Sequence, residues 1–66
     1  MITGWIVEVE HPGGALLYAV AVEDPTAAEA LVRSDLSITE DREVLVSRPL
    51  TSLPFGLKRG AIKGPM

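Results

Sequence analysis

Lys58, Arg59 and Lys63 stand among Gly56, Gly60 and Gly64 in a stretch that contains no acidic residue. Glycines let a backbone approach an anion closely, and Lys and Arg neutralise it, so this composition suits contact with a phosphate group or a nucleic acid. The stretch does not follow a phosphate-loop pattern, which requires a preceding strand and a following helix. The whole chain also carries a formal charge of −3, a balance that repels a polyanion. Binding of an anionic ligand or nucleic acid through Lys58, Arg59 and Lys63 is therefore the alternative reading, and nucleic acid is not the expected partner.

His11 is the only histidine, the residue type most often used as a general acid or base. It sits in His11-Pro12-Gly13-Gly14, a turn sequence without the second positioned group that catalysis needs or the several ligands that a metal needs. Glu8 and Glu10 alternate along a β-branched run, the pattern of a solvated strand face rather than of a catalytic carboxylate pair. Glu40-Asp41-Arg42-Glu43 is acidic but lacks the alternate oxygen ligands and central glycine of a calcium loop. The serines have no strained elbow and no basic partner. With no cysteine in the chain, disulfides and thiolate zinc sites are excluded and a reducing, cytoplasmic setting is expected. No catalytic residue, cofactor or metal is assigned.

The charges are unevenly distributed. Met1 to Ser47 holds nine acidic residues against Arg33 and Arg42, giving −7, whereas Arg48 to Met66 carries Arg48, Lys58, Arg59 and Lys63 and no acid, giving +4. The two parts attract each other, so the basic segment has a natural counterpart within the chain or on a second copy.

The elements that position these groups follow from periodicity and turn chemistry. Trp5-Ile6-Val7-Glu8-Val9-Glu10 and Leu16 to Val22 read as two strands joined by the His-Pro-Gly-Gly turn into a hairpin. The loop is either residues 11–14, with Glu10 opposite Ala15, or Gly13-Gly14 alone, with Pro12 opposite Ala15. Both place Trp5, Val7, Val9, Leu16, Tyr18, Val20 and Val22 on one face, the core face, and Ile6, Glu8, Glu10, Leu17, Ala19 and Ala21 on the other. Asp24 is an N-cap with Pro25 at the first helical position, and Thr26-Ala27-Ala28-Glu29 offers a capping box as a later start. Either start gives a helix to about Arg33 or Ser34, with Ala27, Ala28, Ala30, Leu31 and Val32 as a small-residue face. Leu36 and Ile38 are expected to tuck the following loop onto the core. Glu43 to Arg48 forms a third strand ended by Pro49. In the last segment, Thr51 or Ser52 starts a helical turn that Gly56 ends, and residues 57–60 turn into a short extended end.

The expected fold is a two-layer α+β domain of ββαβ topology, with a three-stranded antiparallel sheet in the order 2-1-3 and one helix. Residues 1–49 form its core, and residues 50–66 belong to the same domain as a basic segment packed on the sheet or exchanged in a dimer. A single core of this length supplies about 3–5 kcal/mol without cross-links, and a hydrophobic content of 47% exceeds what one helix and three strands cover. A homodimer is the expected remedy. Its surface comprises Ile6, Leu17, Ala19 and Ala21 for apolar burial, Glu8 and Glu10 as acceptors, and the covering residues Phe55, Leu57 and Ile62. The function so implied is a small non-catalytic protein–protein interaction module whose partner is a second copy or another protein. The N-terminus lacks a signal-peptide pattern. The longest uncharged run, residues 11–22, falls short of the roughly 20 apolar residues of a membrane span, so no membrane association is expected.

Overall fold

The computed structural model describes residues 2–52 and 56–65. The chain runs β1 (Gly4–His11), β2 (Gly14–Val20), α1 (Pro25–Asp35), β3 (Val44–Leu50) and β4 (Ile62–Lys63). All strand pairs are antiparallel, in the order β3-β1-β2-β4. The expected order 2-1-3 is present within this sheet, but the sheet has four strands rather than three. The added strand comes from the basic segment, whose Ile62 and Lys63 pair with Val20 and Ala19 along the outer side of β2.

Hairpin alignment is fixed by its turn. Glu10 faces Ala15 and His11 faces Gly14, which leaves Pro12-Gly13 as the two connecting residues. Alternation then delivers the core face as read from the sequence. Val7, Val9, Tyr18 and Val20 are buried with Ala28 and Val32 of α1 and Val44 of β3, and Trp5, Leu16, Val22, Leu31, Ile38, Val46 and Ile62 pack around them. Gly4 explains how β1 begins. A Cβ there would lie 2.2 Å from the Val20 carbonyl oxygen and 3.2 Å from Ala21 Cα, so only glycine permits the backbones to come so close.

Asp24 is the N-cap of α1, its carboxylate accepting from the Thr26 N–H at 3.2 Å, and Pro25 opens the first turn. The later capping box is not used. Ala28 and Val32 are the buried helix residues and Leu31 is half-buried, whereas Ala27 and Ala30, expected on the same face, are exposed. The helix ends in a Schellman arrangement: the Ser37 N–H donates to the Ser34 carbonyl, the Ile38 N–H donates to the Arg33 carbonyl, and Ser37 takes a left-handed φ of 54°. That turn directs Ile38 onto the core. Leu36 does not follow it and stays 37% exposed as the C-cap. In the loop toward β3, the Thr39 hydroxyl donates to the Asp41 carboxylate. This bond, a backbone hydrogen bond and nearby Arg42 hold the Asp41 carboxyl below the usual carboxylate range.

β3 extends through Pro49 to Leu50 rather than ending at Arg48. Proline is tolerated because β3 is an outer strand. Between Val46 and Arg48 the ladder slips: Val7 faces Val46 but Ile6 faces Arg48, so Ser47 is an extra, bulged residue. After the bulge, Arg48 shares the face of Ile6 rather than that of Val46.

The helical turn expected around residues 51–56 falls partly on residues 53–55, outside the described residues. The turn before the extended end is present, with the Ala61 N–H donating to the Lys58 carbonyl at 3.0 Å. The Gly60 N–H donates to the Ala21 carbonyl and the Ala21 N–H to the Ala61 carbonyl, which lock this turn to the end of β2. Just beyond β4, a Cβ on Gly64 would sit 2.7 Å from Tyr18 Cδ2 and 2.9 Å from the Leu17 carbonyl oxygen, at a φ of 154°. Gly64→Ala is therefore expected to lift β4 from β2 at a cost of about 1–2 kcal/mol. Amide NMR spectra should show the shifts concentrated at residues 17–21 and 60–64, with the Val7 and Val32 signals retained.

Candidate functional site

The face of the sheet away from α1 carries most of the residues expected to act. Register places Glu43, Glu10 and Ala15 side by side at the hairpin end, then Leu45, Glu8 and Leu17, then Arg48, Ile6, Ala19 and Lys63. These rows differ in exposure. Ile6 and Ala19 are 8% and 0% exposed, and Ala21 beyond them is 4% exposed. A single chain thus already covers three residues that the sequence reading assigned to a dimer surface. Glu8 and Leu17 are half-buried, and Leu45, in the same row, is 55% exposed.

The covering residues fall differently from expectation. Ile62 faces Val20 and packs on the core cluster, so it belongs to the helix-bearing face. Pairing on β2 forces this, because adjacent Ile62 and Lys63 point to opposite faces. Leu57 is half-buried, and Phe55 lies outside the described residues.

An open groove of about 500 Å³ occupies the hairpin end of this face, lined by Glu8, Glu10, His11, Ala15, Glu43 and Leu45. Three carboxylates beside the apolar side chains of Pro12, Ala15 and Leu45 make it acidic and partly hydrophobic. Arg42 partly offsets the charge, its guanidinium donating to the Glu10 carbonyl. His11 is exposed at the rim, and its Nδ1 accepts from the Gly13 N–H at 3.3 Å, a bond that holds the ring to its own turn. No group of three metal-ligating side chains occurs among the described residues, and no helix among them is long and apolar enough to cross a membrane.

The cations lie at the other end. Lys58 and Arg59 are exposed in the turn tied to Ala21, and Lys63 faces Ala19 in β4. Arg59 does not approach Glu8 or Glu10. Its Nη2 is 3.9 Å from Glu23 Oε1, with both side chains mostly in water, a geometry that contributes little. The length of β2 separates this turn from the acidic groove by about 20 Å at the usual strand rise. The molecule, 31 Å in its longest dimension, is therefore electrically polarised along its strands.

No protein family, curated protein or solved structure matches this chain. Any reading of its role therefore rests on the face, the groove and the charges themselves.

Leu45 was the residue that sequence reasoning passed over. The signal was present in Val44-Leu45-Val46, because placing the two valines in the core sends the leucine between them to the opposite face.

Proposed function

We propose that this protein is a non-catalytic protein–protein interaction module that acts in the cytoplasm by associating with a second copy of itself. The observation that carries this reading is the half-open sheet face, where Leu45 at 55% exposure stands beside Glu8, with half-buried Leu17 on the far side of Glu8. Charge supports it. The acidic groove and the Lys58-Arg59 turn are too far apart to meet within one chain, so their attraction is available to another molecule.

Sedimentation across a concentration series at low and high salt tests the reading. A dimer that persists at high salt is expected, since burial of Leu45 dominates over exposed ion pairs. A monomer at millimolar concentration overturns it. A mobility assay with nucleic acid, run at the same two salt concentrations, checks the alternative through Lys58, Arg59 and Lys63. Binding that collapses as salt rises would favour that alternative. The Glu23 carboxylate beside Arg59 weighs against it.

A further inference from the structure

β3 is an outer strand of the sheet, and its two halves differ. The second half is closed to further pairing by the Ser47 bulge and by Pro49, which has no N–H to donate. The first half carries no such protection. The Glu43 carbonyl accepts from the Glu10 N–H at 3.0 Å, so Glu43 turns its backbone groups toward β1. In an antiparallel ladder alternate residues do the same. Leu45 therefore also bonds inward, and Val44 and Val46 direct their N–H and C=O groups away from the sheet.

We propose that two copies of this chain join through β3, antiparallel about a two-fold axis at Leu45, into one continuous eight-stranded sheet. This inference rests on the self-association reading and assigns it a specific edge. Three features of the strand agree on that axis. Leu45 would occupy a pair without mutual hydrogen bonds, where Cα atoms approach to about 4.5 Å and side chains are closest. The most exposed large apolar side chain of the sheet thus meets its own counterpart. Val44 of each copy would form a hydrogen-bonded pair with Val46 of the other, satisfying the outward backbone groups on both sides.

The third feature is electrostatic and depends on the bulge. Leu45 faces Glu8 and Arg48 faces Ile6, so three residues of β3 span what two residues span on β1. Glu43, Leu45 and Arg48 consequently occupy successive positions on the same face. A two-fold axis at Leu45 sets Glu43 of each copy opposite Arg48 of the other, giving two opposite-charge pairs across the new ladder. Both residues are exposed in the single chain. Without the extra Ser47, residue 47 would stand there and Arg48 would point to the helix side.

Sedimentation equilibrium of the full chain and its charge variants tests the arrangement. Glu43→Arg and Arg48→Glu should each raise the dissociation constant by about tenfold, since each replaces both cross-ladder attractions with repulsions. An equimolar mixture of the two variants, and the double variant alone, should regain wild-type affinity because opposite charges face each other again. Val46→Pro removes an outward N–H without touching the β1 ladder and should weaken association at least about tenfold. Circular dichroism shows whether that variant folds, and if it does not, the mixture decides. A wild-type dimer whose affinity none of these changes moves overturns the β3 interface while leaving self-association in place. Weakening by the single variants without rescue in the mixture also overturns it. A wild-type monomer at millimolar concentration defeats the self-association reading itself.

Discussion

Gly4→Ala should remove a large share of the fold's stability and lower the melting temperature by about 10 °C or more. The added methyl would lie 2.2 Å from the Val20 carbonyl oxygen, far inside contact distance, and the obstacle is backbone rather than a movable side chain end. Val20 is fully buried in β2, between β1 and β4, so neither strand can retreat without disturbing another. Overpacking of this kind costs about 1–3 kcal/mol and sometimes more, against the about 3–5 kcal/mol that a core of this size supplies. Circular dichroism melting checks it, with Gly13→Ala as the control. At Gly13 the nearest atom to a new Cβ is His11 Nδ1 at 3.9 Å, so that variant should fold as the parent does. A Gly4→Ala protein melting within a few degrees of the parent would refute the close approach of β1 to β2.

Val20→Ala is expected to lower the melting temperature by roughly 10–20 °C for a domain of this size. Val20 is at 0% exposure, pairs with Trp5 on one side and Ile62 on the other, and belongs to the cluster that includes Ala28 and Val32 of the helix. Removing two methyl groups there forfeits about 1.6 kcal/mol of transfer free energy, and the cavity left behind raises the loss to about 2–3 kcal/mol. The sheet cannot collapse to fill the space, because β1 and β4 hold the Val20 backbone from both sides. Thermal melts of the variant beside the parent measure the loss. A shift of only a degree or two would mean that the core is looser at this position than its burial implies.

Much of this architecture is legible in the residues because several local signals agree. Trp5 to Val9 and Leu16 to Val22 alternate around a Pro-Gly turn, so strand parity and core face follow whichever loop length is chosen. Asp24-Pro25 announces a helix start through both a side-chain acceptor and a preset φ. Other features lack such signals. β4 is two residues long, too short for any periodicity, and it forms because Ala21 exchanges backbone bonds with Gly60 and Ala61. The Ser47 bulge is set by how β3 meets β1, a relation between segments some 40 residues apart that no local composition encodes. The same holds for the acidic groove. Glu8, Glu10 and Glu43 come together only once β3 lies beside β1, although Glu8 and Glu10 could be placed on one face in advance. The burial of Ile6, Ala19 and Ala21 within one chain likewise depends on the whole assembly rather than on their own runs.

The long reach between β1 and its outer neighbour also bears on how the chain acquires its shape. Thr3 donates to the Leu50 carbonyl through both its amide and its hydroxyl, across 47 residues, whereas the hairpin closes through His11 and Gly14. Loop closure favours nearby partners, so the hairpin can zip before the distant strands find it. Its Pro12-Gly13 corner then acts as a template: an error of one residue in the corner would turn every valine of β1 or β2 outward and deny β3 a place to dock.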